Sequence, residues 1–280
     1  MKTTIISTEE LAEKLGTPGW VIVDCRFDLA KKEWGFEEYQ KAHIPGAVYA
    51  HLDKDLAGPA TDQTGRHPLP DPERMAERLG IWGIGHHTQV VVYDTAGGAY
   101  AARLWWQIRF LGHQAVAVLD GGFPKWLREA RPISSGIETN PPARFTAEPV
   151  WSMVAHVEEV DRIRQDPNYK LVDARAQERF HGQNETIDPV AGHIPGATSR
   201  FYGLNLSPEG VFLPPETLRQ QFAELLGNVP PENTVVYCGS GVTSAHHLIA
   251  MEMAGLQGAK LYPGSWSEWI RDGKRPISID

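Results

Sequence analysis

The chain has 280 residues, 41% of them hydrophobic and 22% charged, with a formal net charge of -8. That is the composition of a globular protein long enough for two cores, and its negative balance excludes a binder of the nucleic-acid backbone, which needs a basic face. No stretch nears the ~20 apolar residues of a membrane span, "MKTTIISTEELAEKL" lacks a signal-peptide core, and the two cysteines, Cys25 and Cys238, allow neither a disulfide framework nor an all-cysteine zinc site.

These features lead us to expect a cytoplasmic protein with no membrane or nucleic-acid partner. From the N-terminus, Ser7 and Glu10 form a capping box that predicts a helix. "WVIVD" (20–24) reads as a buried strand, and "DPERMAERL" (71–79) as a helix with Pro72 in its first turn. "QVVVYD" (89–94) is a strand and "YAARLWWQIRFLG" (100–112) a helix stopped by Gly112. "AVAVLDGG" (115–122) is a strand entering a glycine turn, and "FPKWLREA" (123–130) a short helix. Strands alternating with helices predict an α/β fold, a mainly parallel sheet with helices on both faces. Ligands bind such sheets at the carboxyl ends of the strands.

The same order then repeats. "VIVDCR" (21–26) returns as "KLVDAR" (170–175), and "AHIPGA" (42–47) as "GHIPGA" (192–197). "VVVYDTAGGAYAA" (90–102) matches "TVVYCGSGVTSAH" (234–246), and "LDGGFPKWLREARPI" (119–133) matches "LYPGSWSEWIRDGKRPI" (261–277). A period this long means a duplicated domain rather than a solenoid. The expected division is 1–138 and 149–280, with 139–148 as linker inside the Pro-, Ser- and Asn-rich stretch 134–150. What both copies share reads as scaffold: His43 and His193, Asp24 and Asp173, Arg26 and Arg175, Trp126 and Trp269. What one copy has alone is a candidate for chemistry. Cys238 is such a residue, since Asp94 stands at its position in the first copy.

A thiol is a nucleophile only as thiolate, and a helix start lowers its pKa. After Cys238, the run "GSGVTS" (239–244) lets successive backbone N–H groups turn inward as a nest for an anion. Thr243 and Ser244 are expected to cap the helix that begins "SAHHLIAMEM". The alternative is a packed structural cysteine, which needs no glycine–hydroxyl loop. Cys25 falls where the second copy has Ala174 and reads as a small core residue. The "HH" pairs at 86–87 and 246–247 lack companion ligand spacing, so no metal site is expected.

At these residues the chain resembles the tandem-domain rhodanese family of sulfurtransferases, over nearly its whole length. "YQKAHIPGAVY" (39–49) resembles the family's N-terminal signature and "AKLYPGSWSEW" (259–269) its C-terminal one. The resemblance implies two α/β domains, the first inactive and the second catalytic, with the site in the cleft between them and no cofactor. It implies that Cys238 takes a sulfane sulfur from a small-molecule donor as a persulfide and passes it to cyanide, a thiol or thioredoxin. The loop "CGSGVTS" is similar to that of 3-mercaptopyruvate sulfurtransferases, differing only in Ser244 where they carry alanine. Thiosulfate sulfurtransferases instead place basic residues after the cysteine. Gly239, Gly241, Val242, Thr243 and Ser244 are therefore expected to line the substrate site, and Arg179 matches the family's first substrate arginine.

The resemblance further implies a serine–histidine–aspartate relay. Ser240 and His43 match its first two members; the acid does not align in "FDLAKKEWGFEEY" (27–39), where Asp28 is carried forward as a candidate. The chain departs from the mercaptopyruvate pattern in one respect: a second arginine is expected about nine residues after Arg179, and no arginine or lysine stands between Arg179 and Arg200. Thiosulfate stays open as donor. Some cysteine phosphatases share this fold, but they need an arginine six positions after the cysteine, where Ser244 stands. A non-catalytic sulfur-relay module is the remaining alternative, separable by donor turnover.

Overall fold

A computed structural model describes residues 1–279. Contacts divide the chain into two compact units: 1–58, 70–150 and 208–212 form the first, and 59–69, 151–207 and 213–279 the second.

The first unit is built on a five-stranded parallel sheet in the order β1-β5-β4-β2-β3. Its strands are β1 (Ile5–Ile6), β2 (Trp20–Asp24), β3 (Ala47–Tyr49), β4 (Gln89–Tyr93) and β5 (Val116–Leu119), and its helices α1 (Thr8–Ala12), α2 (Trp34–Lys41), α3 (Pro72–Ile81), α4 (Ala101–Phe110) and α5 (Gly122–Arg128). The expected signals act as read. Ser7 and Glu10 close a reciprocal capping box on α1, Pro72 sits in the first turn of α3 behind the Asp71 cap, and the glycine after α4, Gly112, takes φ +91°. Every residue of β4 is buried, which is why its sequence is a continuous apolar run rather than an alternation.

The second unit repeats this on four parallel strands, β6 (Lys170–Asp173), β7 (Thr198–Ser199), β8 (Thr234–Tyr237) and β9 (Lys260–Leu261), in the order β7-β6-β8-β9. A single parallel bridge from Val154 to Leu261 stands where β1 pairs with β5 in the first copy. The helices are α6 (Val157–Ile163), α7 (Gln177–Phe180), α8 (Pro215–Leu226), α9 (Ala245–Met253) and α10 (Ser265–Trp269). No helix among the described residues is long and apolar enough to cross a membrane.

The residues common to both copies hold each unit together. Trp126 and Trp269 are fully buried, each donating from Nε1 to a carbonyl of its own unit, Pro132 at 2.7 Å and Pro276 at 2.9 Å. Asp24–Arg26 and Asp173–Arg175 are matching buried ion pairs. His43 donates from Nδ1 to the Tyr39 carbonyl at 2.7 Å, and His193 to that of Phe180 at 2.9 Å.

Two features depart from a reading in consecutive domains. The segment 59–69, between β3 and α3, belongs to the second unit: Arg66 N–H donates to Ser267 Oγ at 3.0 Å, and Arg271 Nε to the Thr64 carbonyl at 3.1 Å. Residues 208–212 belong to the first, where Phe212 N–H meets Asp120 Oδ1 at 2.8 Å. The stretch read as a linker is also bonded back to the first unit, with Ala143 N–H on the Gly80 carbonyl at 2.9 Å and Glu148 N–H on that of Leu111 at 3.1 Å. Its proline-rich composition marks irregular backbone, which need not be mobile.

Candidate active site

Strand β8 ends at Tyr237, and Cys238 follows at the carboxyl edge of the sheet, 2% exposed. Its N–H donates to Ser265 Oγ at 3.1 Å, and that hydroxyl donates to the Tyr262 carbonyl at 2.9 Å. Ser265 takes φ +55° to make this contact, a conformation that costs a non-glycine residue energy and is held by its surroundings. The first amides of α10 hold the loop from behind: Trp266 N–H on the Cys238 carbonyl at 3.0 Å and Ser267 N–H on that of Gly239 at 2.9 Å. Gly241 must be glycine, because at φ +74° a Cβ would stand 2.2 Å from the Pro263 carbonyl oxygen.

So fixed, the loop turns its donors onto the sulfur. Burial works against the Cys238 thiolate, but the hydroxyls of Thr243 and Ser244 and the N–H groups of Ser240 and Ser244 outweigh it, and the thiol ionises below its ordinary value. Neither hydroxyl serves the role expected from sequence: no side chain caps α9, and Ser244 Oγ is buried without a nitrogen or oxygen partner. The physical reason is backbone geometry: Ser244 already has helical angles, φ -65° and ψ -27°, whereas a capping side chain needs an extended residue at the helix start.

The first unit carries the same cradle already filled. Asp94 Oδ1 accepts from the N–H groups of Ala96 and Gly98, both at 2.8 Å, and Oδ2 from those of Tyr100 and Ala101 at 2.7 and 2.9 Å. A carboxylate thus sits where the second unit holds its sulfur, which shows what charge this backbone shape selects. Asp94→Ala should lower unfolding free energy by about 3 kcal/mol or more, because it strands four inward amides. A urea-denaturation midpoint unchanged from wild type would contradict this. Cys25 has the opposite setting to Cys238: burial, followed by the Asp24 and Asp94 charges, pushes its thiol well above the ordinary range.

Ser240 Oγ is hydrogen-bonded to His67 Nδ1 at 2.7 Å, both residues 6% exposed. The expected partner, His43, is instead fully buried in the first unit, stacked on Tyr39 with ring centroids 4.3 Å apart. Its backbone pairs with Ser134 in both directions, so it is scaffold, as its presence in both copies implied. Asp28 caps its own exposed turn through Ala30 N–H at 2.7 Å and has no part in the site. His246 and His247 are buried against the Asn205 amide, each Nδ1 at 3.0 Å from its Nδ2.

Arg179 lies beside the loop: a methyl built on Gly239 would meet its Nη2 and Nη1 at 3.6 and 3.7 Å, and Arg66 Nη2 at 2.9 Å. Arg66 and His67 were missed from sequence because they lie far from the cysteine, in the first copy's stretch. A signal was present, however. Opposite "GRHPLP" (65–70) the second copy has "GVFLPP" (210–215), at the corresponding place before α8, without the arginine and the histidine, and presence in one copy only is the criterion that singled out Cys238. Among the described residues no cluster of His, Cys, Asp or Glu could hold a metal ion.

Comparison with known proteins gives a family match in both halves and full-length relatives. The model of the "Rhodanese-like domain" matches residues 7–129 and 156–272. A probable 3-mercaptopyruvate sulfurtransferase of Pseudomonas aeruginosa is 44% identical over 276 residues, covering 98% of this chain and 97% of that protein. A putative thiosulfate sulfurtransferase, SseB of Mycobacterium tuberculosis, is 36% identical over 277 residues, 98% of this chain and 96% of its own. Among solved structures, SseA from Escherichia coli, described as a 3-mercaptopyruvate sulfotransferase, superposes with a TM-score of 0.82 at 30% identity, covering 95% of this chain and 100% of that one. With a family match in both halves and relatives of this similarity along the full length, the chain belongs to the rhodanese-like family as a tandem of two such domains.

Proposed function

We propose that the protein is a sulfurtransferase that moves the sulfane sulfur of 3-mercaptopyruvate to a thiophilic acceptor through a persulfide on Cys238. The observation that carries this reading is the Cys238 loop: the thiol stands at the carboxyl end of β8, in the cradle that in the first unit seats the Asp94 carboxylate on four amides. The Cys238 thiolate attacks the donor sulfur. The carbon–sulfur bond breaks with its electron pair going to carbon, and the proton carried by the donor thiol ends on that carbon, giving pyruvate. Ser240, tied to His67, is the relay at hand for this proton. An acceptor nucleophile then attacks the outer sulfur, the sulfur–sulfur bond breaks, and the Cys238 thiolate returns. Cyanide, a small thiol or thioredoxin would each serve as acceptor. Two free thiols and a persulfide intermediate suit a reducing compartment, the cytoplasm.

Thiosulfate is the second reading, supported by relatives named for it and by the guanidinium groups of Arg66 and Arg179 above Gly239. No cation belongs to the loop itself, so a dianion held at the transferred sulfur is less well matched than a monocarboxylate. With cyanide as acceptor, kcat/KM for 3-mercaptopyruvate should exceed that for thiosulfate by about tenfold, the worth of one charge-assisted hydrogen bond. A preference for thiosulfate reverses the donor assignment. Turnover of neither donor by the purified protein leaves a non-catalytic sulfur relay.

A further inference from the structure

The first unit holds a pocket of about 430 Å³ that the sulfur chemistry does not use, and small-molecule sites run from roughly 300 to 1,000 Å³. It is lined from α2, the edge strand β3, residues 51–55, the end of α3 and residues 137–140, all of the first unit. Duplication marks it as it marked Cys238. In the aligned signatures, Tyr49 and His51 stand where the second copy has Ser199 and Phe201.

The lining is aromatic and apolar. Phe36, Tyr39 and Tyr49 form one cluster, with ring centroids between 5.4 and 6.2 Å apart. Both tyrosine hydroxyls donate to carbonyls, Tyr39 to Ala47 at 2.8 Å and Tyr49 to Arg26 at 2.9 Å, so what they offer the pocket is ring surface. Ile81 and Ile137, 58% and 64% exposed, leave bare apolar surface at the same pocket, which an apolar ligand body would cover.

The charges of the lining do not balance. Lys54 pairs with Glu33 at 2.7 Å, and Arg78 with Asp55 at 3.1 Å. Glu138 stands beside the ring cluster, its N–H on Tyr39 Oη at 2.9 Å, and among the described residues its one ion-pair contact is His43 Nε2 at 3.6 Å. That is too long for a hydrogen bond. His43 spends its Nδ1 proton on the Tyr39 carbonyl, so its neutral ring turns a lone pair toward the carboxylate. His51 lines the pocket at 4% exposure with its Nε2 lacking a hydrogen-bond partner. Burial, and then Lys54, push its pKa down, so it adds no charge that would repel a cation.

We propose that this pocket binds a small organic cation, an ammonium group on an apolar body, with its charge between Glu138 and the tyrosine rings and its body against Ile81, Trp82 and Ile137. An ammonium over an aromatic face is attracted by the ring's quadrupole, more strongly where water is excluded. The carboxylate adds a charge-assisted hydrogen bond. An anion would meet Glu138 with no unpaired cation in the lining to receive it, and a neutral apolar molecule would strip water from that carboxylate and replace it with nothing. Binding here is independent of the persulfide chemistry, since no residue of the second unit lines the pocket.

Calorimetry on the full chain at neutral pH tests this with two probes of one shape, phenethylammonium and 2-phenylethanol. The ammonium should bind with a Kd below about 1 mM, and the alcohol at least about tenfold more weakly. Glu138→Gln should weaken the ammonium about five- to tenfold and leave the alcohol unchanged. Phe36→Leu keeps an apolar side chain without the ring and should weaken the ammonium more than the alcohol. Equal binding of the two probes, or no binding of the ammonium, overturns the proposal. Tighter binding of 3-phenylpropionate, the anionic counterpart, does so too. An ammonium Kd unmoved in Glu138→Gln overturns it as well, because the cation then sits elsewhere. Thermal midpoints report folding. Should Glu138→Gln prove too unstable to titrate, Phe36→Leu decides, and equal weakening of both probes there rules the cation out.

Discussion

Cys238→Ser should abolish sulfur transfer and, with it, the gain of one sulfur atom in intact mass after treatment with donor in the absence of acceptor. Wild type should show that gain on Cys238 alone. A serine hydroxyl in the same cradle has no comparable anionic form at neutral pH, so covalent catalysis ends rather than slows. The pH dependence follows from the sign of the shift. Because the cradle lowers the Cys238 pKa, the rate of persulfide formation should fall as pH drops through a midpoint below that of an ordinary thiol. Above that midpoint it should be flat. Iodoacetamide should alkylate Cys238 on the same profile and leave Cys25 untouched in the folded protein, since burial and the Asp24 charge push that thiol up. Sulfur found on Cys25, or a midpoint above that of a free thiol, would overturn the assignment.

Arg179→Ala should raise KM for 3-mercaptopyruvate between ten- and a hundredfold, the equivalent of about 1.5–3 kcal/mol for a charge-assisted hydrogen bond lost. Its Nε and Nη2 are already engaged by Glu185 and Asp188, which aims the guanidinium at the space above Gly239. Arg179→Lys should restore only part of the loss, because an ammonium cannot keep the fork on Glu185 and also reach the donor. Removing the arginine leaves two buried carboxylates short of a partner, so thermal midpoints of both variants must accompany the kinetics. Unchanged KM in the alanine and lysine variants would remove Arg179 from the site.

Duplication was the strongest guide in the sequence, and it worked because it compares two copies of one scaffold within one chain. Asp24, Arg26, His43 and Trp126 recur in the second copy and hold buried, equivalent positions in both. Cys238 does not recur, and it stands in the only differing version of the loop. Where the resemblance gave His43 a catalytic part against that logic, the logic held: His43 is bonded to Tyr39 and packed in the core. Had the same comparison been applied to "GRHPLP", it would have marked Arg66 and His67 as well.

The sequence by itself determined the duplicated parallel fold, strands β2, β4 and β5, the first unit's helices other than α2, and the place of Cys238. Those are local matters, set by apolar periodicity, caps and glycines within a few residues of each other. Tertiary structure decided which histidine meets Ser240, which cations stand over Gly239, and which guanidinium groups the acids at 185 and 188 meet. His67 reaches Ser240 across 173 positions of chain and Arg66 reaches Asp188 across 122, because the segment 59–69 packs with the second unit rather than with its sequence neighbours. A loop that appears neutral in sequence is bordered in space by two guanidinium groups, since charge acts through distance and distance is fixed only when the chain has folded.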